Sequence, residues 1–121
     1  MSFIYVALGG AFGAVLRYFV SNKFANLSSF IPVSTLLVNV SGGFLIGLLT
    51  EIILKFDLSN NFKDLLITGF LGALTTFSTF SNETVTLFNC GNILNALINI
   101  FLNLSCSLLA CYMGHLAIKL F

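Results

Sequence analysis

Charged residues are few, and they leave four long stretches of the chain with no charge. Of the 121 residues, five are Lys or Arg and four are Asp or Glu. The uncharged stretches cover residues 3–16, 24–50, 65–82 and 84–118. An ordinary soluble domain carries about 25% charged residues, whereas this chain carries 7%. Long apolar stretches without charge are typical of membrane-spanning helices, so we predict an integral membrane protein.

We predict an all-α membrane protein with a single domain over residues 1–121. Its four transmembrane helices fall at about residues 3–20, 32–54, 65–88 and 93–119, separated by polar clusters. The third helix carries the run Thr75, Thr76, Ser78 and Thr79, which is too polar for a plain span. Irregular backbone at membrane depth is tolerated where it is buried in protein or lines a wet cavity. We therefore predict that helix three is broken near its middle.

The basic residues give a weak orientation signal. With four spans, Lys55, Lys63 and Lys119 lie on one side of the membrane, against Lys23 and Arg17 on the other. A small bias of this kind allows insertion in both orientations, which an antiparallel homodimer requires. Insertion in a single orientation is the alternative that the same distribution of basic residues allows.

Several function classes are disfavoured by the composition. A net charge of +1 and the lack of a basic cluster argue against a nucleic-acid partner. Cys90, Cys106 and Cys111 lack a CxxC spacing and are interpreted as inert buried thiols. His115 is the single histidine, and no nucleophile, base and acid constellation accompanies it, so we predict that the protein is not an enzyme.

Polar side chains recur inside the predicted spans. Asn39 lies in the middle of helix two, where its amide must face protein or water. Asn99, Asn103 and Ser107 follow at four-residue steps on helix four and make one polar track. Two explanations stand, which are hydrogen bonding between helices and a donor-lined path for a small ion.

Arg17, Phe77 and Phe80 also have two explanations each. Arg17 lies near the end of helix one, where it either snorkels to the interface or draws anions into a vestibule. Phe77 and Phe80, three residues apart, share a helical face. They either pack or present the positive edges of their rings to an anion.

Three segments carry a specific resemblance. GGAFGAVLRY at 9–18, TLLVNVSGGF at 35–44 and GFLGALTTFSTF at 69–80 resemble, in order and spacing, the signatures of the small bacterial fluoride channels called Fluc or CrcB. The resemblance implies a channel that exports fluoride passively across the bacterial inner or plasma membrane. It also implies an antiparallel, dual-topology homodimer in membrane lipid, and a structural Na⁺ at the dimer centre held by the backbone carbonyls of Gly72 and Thr75.

Site residues follow from the same resemblance, position by position. Phe77 and Phe80 would supply ring edges to fluoride, Asn39 would donate hydrogen bonds to it, and Arg17 would lie in a vestibule. The full predicted pore set is Asn39, Thr76, Phe77, Phe80, Glu83, Asn99, Asn103 and Ser107. The family often has Tyr and Ser in the helix-four track, where this chain has Asn.

Two other functions are alternatives for a chain of this kind. A small multidrug or cation-proton antiporter also has four spans, but it needs a carboxylate at the membrane centre, and Glu51 and Glu83 lie away from the predicted span centres. A structural subunit of a larger complex needs packing glycines, such as the pairs Gly9/Gly13 and Gly43/Gly47, but gains little from so much buried polarity.

Overall fold

The computed structural model describes residues 2–121, so residue 1 of the predicted domain lies outside the described part. The elements in chain order are α1 (Ser2–Lys23), α2 (Val33–Lys55), α3 (Asn60–Lys63), a π-helical stretch (Asp64–Leu71), α4 (Gly72–Leu74), α5 (Phe77–Asn89) and α6 (Ile93–Lys119). Within that range, α1, α2 and α6 are long and apolar enough to cross a membrane. The predicted all-α class is confirmed.

The third helical segment is interrupted, as the sequence predicts. Thr75 (φ −77°, ψ 154°) and Thr76 (φ −153°, ψ 116°) are extended and separate α4 from α5. The segment starts at Asn60, earlier than the predicted residue 65. The cause is local, because the Ser59 carbonyl accepts the N–H groups of Phe62 and Lys63 and so begins a helical turn inside the polar cluster.

Glycines allow two close helix contacts that hold the bundle together. α2 packs on α6, and α1 packs on the π-helical stretch. A Cβ atom at Gly47 would overlap the Cys111 carbonyl, and one at Gly9 would overlap the Leu65 carbonyl. Small residues permit such backbone approach in lipid, where there is little hydrophobic drive for helices to associate.

The buried apolar core is small, and much apolar surface faces outward. Val38, Leu71 and Leu74 form the buried cluster. Large apolar side chains on α1 and α6 are exposed, among them Phe12 at 70% and Leu108 at 72%. Soluble monomers rarely expose large contiguous apolar patches, so these surfaces fit a membrane protein.

Candidate functional site

The helix break is held by one asparagine side chain from α2. The Asn39 Nδ2 group donates to the Thr76 carbonyl at 3.2 Å, and its Oδ1 accepts from the Thr76 N–H at 2.8 Å. The Thr76 hydroxyl in turn accepts from the Thr79 N–H at 3.1 Å and caps the start of α5. Side chains therefore satisfy the N–H groups of Thr76 and Thr79 and the Thr76 carbonyl.

The same contacts release two carbonyl oxygens. In an uninterrupted α-helix, the N–H groups of Thr76 and Thr79 would bond to the carbonyls of Gly72 and Thr75. Here they bond to side chains instead, so Gly72 and Thr75 lose their helical partners. We call these two oxygens the carbonyl pair. They are the groups that the resemblance assigns to Na⁺, and free carbonyl oxygens suit a hard cation.

A groove of about 310 Å³ opens beside the break. Its walls come from α2, the break, the first turn of α5, and α6. The lining includes these members of the predicted site: Asn39, Thr75, Thr76, Phe77, Phe80, Asn103 and Ser107. The structure thus brings residues from three separate parts of the sequence to one groove, whose surface is mostly apolar with a few polar groups.

Two phenyl rings form one end of the lining. The rings of Phe77 and Phe80 lie with centroids 5.4 Å apart and planes tilted by 58°. Phe80 is buried at 6% exposure, whereas Phe77 is 73% exposed. The Phe80 ring is therefore enclosed by this chain, whereas most of the Phe77 ring is left uncovered.

The helix-four track divides between the groove and the interior. Asn99 is fully buried and donates to the Thr84 hydroxyl at 3.0 Å. Asn103 lines the groove, as does Ser107, whose buried hydroxyl has no hydrogen-bond partner among residues 2–121. A four-residue step drifts by about 40° around a helix, so the two ends of the track face different neighbours.

Glu83 and Arg17, both predicted site residues, lie outside the groove. A Glu83 carboxylate oxygen accepts from the Thr35 hydroxyl at 2.8 Å, and the other is buried without a described partner. Arg17 lines a separate depression of about 250 Å³, together with Tyr18 and Thr79. Neither residue lines the groove.

Two hydroxyls that hydrogen-bond to predicted site residues, Glu83 and Asn99, were not predicted from the sequence. Thr35 precedes Asn39 by four residues, and Thr84 follows Phe80 by four. Because residues four apart share a helix face, extending the polar faces of α2 and α5 by one turn would have found both.

Comparison with known proteins shows the family of this chain. Residues 4–115 match the family described as CrcB-like protein, Camphor Resistance (CrcB). A protein named "Fluoride-specific ion channel FluC" from Campylobacter fetus subsp. fetus is 50% identical over 119 residues, which cover 95% of this chain and 91% of the relative. A protein of the same name from Shewanella oneidensis is 50% identical over 112 residues, 91% of this chain and 90% of the relative. The chain belongs to the CrcB family.

Proposed function

We propose that this protein is a fluoride-selective channel that lets fluoride leave the bacterial cell passively, across the cell membrane. The observation that carries the proposal is the convergence of amide, hydroxyl and phenyl groups on one groove in a chain of the CrcB family. The named function of the relatives points the same way. The protein is a transporter rather than an enzyme.

The groove chemistry suits a small anion. Fluoride is compact and strongly hydrated, so a selective path must replace its water with several close donors. The unpartnered Ser107 hydroxyl is one such donor. Phe77 and Phe80 add ring edges, which carry partial positive charge and offer no exchangeable proton.

We further propose that α3 to α5 form a fourth membrane span. The segment between Asn60 and Asn89 is helical except at the break. At about 1.5 Å per residue it is long enough for a hydrocarbon core of about 30 Å. The backbone at the break has partners in Asn39 and Thr76, which lowers the cost of holding it at membrane depth.

A second, antiparallel copy completes the proposed pore. In one chain the groove is open, and Phe77 is 73% exposed beside it. The weak charge bias allows both orientations. Two copies would bring together two carbonyl pairs, and those four oxygens would hold the predicted Na⁺ as a structural ion. Within residues 2–121 no group of three or more His, Cys, Asp or Glu could hold a metal, and the proposed site uses backbone oxygens.

The antiporter alternative gains no support from the comparisons. The groove lining contains no carboxylate among the described residues. A proton-coupled exchanger needs an ionisable group in its substrate site.

Efflux from liposomes tests the function directly. Purified protein is reconstituted with potassium fluoride or potassium chloride inside, and release is followed with an ion-selective electrode after valinomycin is added. We expect rapid fluoride release with negligible chloride release. Folded, reconstituted protein that releases no fluoride would overturn the proposal, and proton-driven exchange of organic cations would then favour the antiporter.

A further inference from the structure

The hydrogen bonds around the break continue well beyond it, in a single line. The line has six members, which we call the amide relay: Thr76, Asn39, Asn103, Asn99, Thr84 and Phe80. It begins with the Thr76 N–H, which donates to Asn39 Oδ1 at 2.8 Å. Asn39 Nδ2 then donates to Asn103 Oδ1 at 3.0 Å. The relay thus leaves the break through α2 and enters α6.

The second half of the relay returns to α5. Asn103 Nδ2 donates to Asn99 Oδ1 at 3.0 Å, and Asn99 Nδ2 donates to the Thr84 hydroxyl at 3.0 Å. The Thr84 hydroxyl donates to the Phe80 carbonyl at 2.8 Å. The two ends of the relay therefore bracket the first turn of α5, the turn that carries Phe77 and Phe80.

Each of the four side chains between the two ends accepts a hydrogen bond from the preceding member and donates one to the next. The backbone fixes this polarity, because the Thr76 N–H can only donate and so requires the oxygen of Asn39 to face it. Once Asn39 is oriented, its amide N–H group must donate to an oxygen of Asn103. The Asn103 amide N–H group must then donate to an oxygen of Asn99. Hydrogen bonds aligned in this way polarise and strengthen one another.

The amide hydrogens of two members are fully used. Asn39 Nδ2 donates to the Thr76 carbonyl and to Asn103. Asn103 Nδ2 donates to both the backbone carbonyl and Oδ1 of Asn99. An amide has two N–H hydrogens, so in this arrangement both hydrogens of each side chain are bonded to protein groups.

We propose that the relay is a positioning device: Asn39, Asn103, Asn99 and Thr84 hold the break and the first turn of α5 in the geometry that presents Phe77 and Phe80 to the groove. Asn39 and Asn103 then act on the ring geometry through the backbone at the break. The consequence for transport rests on the proposed fluoride channel, whereas the positioning itself does not.

Hydrogen exchange at the Thr76 amide tests the positioning. Thr84 lies outside the groove lining, and Thr84→Val removes its hydroxyl at nearly constant shape, while Thr84→Ser keeps the hydroxyl. We expect the Thr76 amide to exchange about tenfold faster in Thr84→Val, the size expected for losing one buried hydrogen bond. Thr84→Ser should preserve the wild-type rate. Thr84→Ala removes the same hydroxyl and should give the same result if Thr84→Val does not fold.

A matched control separates positioning from general loosening. Asn95 lies one turn before Asn99 on α6, and its side chain makes no hydrogen bond within residues 2–121. Asn95→Leu should leave the Thr76 exchange rate at the wild-type value. An unchanged rate in Thr84→Val, or an equal acceleration of amides in α1, would overturn the relay.

Fluoride efflux supplies the second readout. We expect slower fluoride release from Thr84→Val and near-normal release from Asn95→Leu, both measured against the wild-type protein. If the wild type releases no fluoride, the proposed function fails while the exchange experiment still decides the relay. If efflux is equal in Thr84→Val and the wild type, the relay does not serve transport, and that part of the proposal is wrong.

Discussion

Replacing Asn39 and Asn103 by Leu, singly and together, should reveal the hydrogen bond that joins them. Asn39→Leu leaves the Thr76 N–H, the Thr76 carbonyl and Asn103 Oδ1 without partners. An orphaned buried polar group costs about 1–3 kcal/mol. Because the groove is open beside Asn39, we take the lower value and expect a loss of roughly 3 kcal/mol in the free energy of unfolding.

Asn103→Leu leaves one Asn39 N–H and Asn99 Oδ1 without partners, for a loss of roughly 2 kcal/mol. The double variant removes both sides of the Asn39 to Asn103 bond, so only three groups remain orphaned. Its loss should be roughly 3 kcal/mol rather than the sum of the single losses, which is a coupling of about 2 kcal/mol.

Unfolding can be followed by circular dichroism while dodecyl sulfate is titrated into protein held in a mild detergent. Asn95→Leu is the matched control and should lie within about 0.5 kcal/mol of the wild type. Additive losses within about 0.5 kcal/mol would show that Asn39 and Asn103 share no interaction, and the reasoning would be refuted.

Three other changes test separate features. Phe80→Ile should reduce fluoride efflux from liposomes by about tenfold through loss of the ring edge, with an unchanged elution volume on size-exclusion chromatography and with Phe88→Ile as control. Equal efflux would remove the ring from the mechanism. Gly9→Ala should lower the free energy of unfolding by about 1–3 kcal/mol through overpacking. Gly10→Ala, whose Cβ would lie 4.0 Å from the nearest atom, should not, and equal losses would contradict the close contact. Replacing Na⁺ by N-methylglucamine should lower the Tm of the solubilised protein by about 4 °C, whereas an identical Tm would argue against cation binding at the carbonyl pair.

The broad architecture could be predicted from the sequence because charge spacing and apolar length are local properties. The break in the third segment was predictable for the same reason, since the polar run at 75–79 cannot form a plain span. The start of that segment was predicted too late. Asn60 and Lys63 are polar, but a polar turn of helix is stable when a residue such as Ser59 accepts its first N–H groups.

The partners of the polar residues could not be predicted in the same way. The sequence indicates that Asn39 needs hydrogen bonds, yet its main partner is the backbone of Thr76. The Thr76 backbone groups are available for these bonds only because the dihedral angles at the break are extended. Spacing alone puts Asn99 and Ser107 on one track. The drift of that track around α6 turns Asn99 toward Thr84 and leaves Ser107 at the groove.

The carbonyl pair determines which mutations could remove the proposed ion site. A backbone oxygen is present whatever side chain its residue carries, so no simple substitution at Gly72 or Thr75 deletes it. These oxygens are free because the side chains of Asn39 and Thr76 accept the N–H groups that would otherwise bond to them. Loss of the proposed ion site through mutation should therefore arise most readily at positions that do not contribute the oxygens themselves.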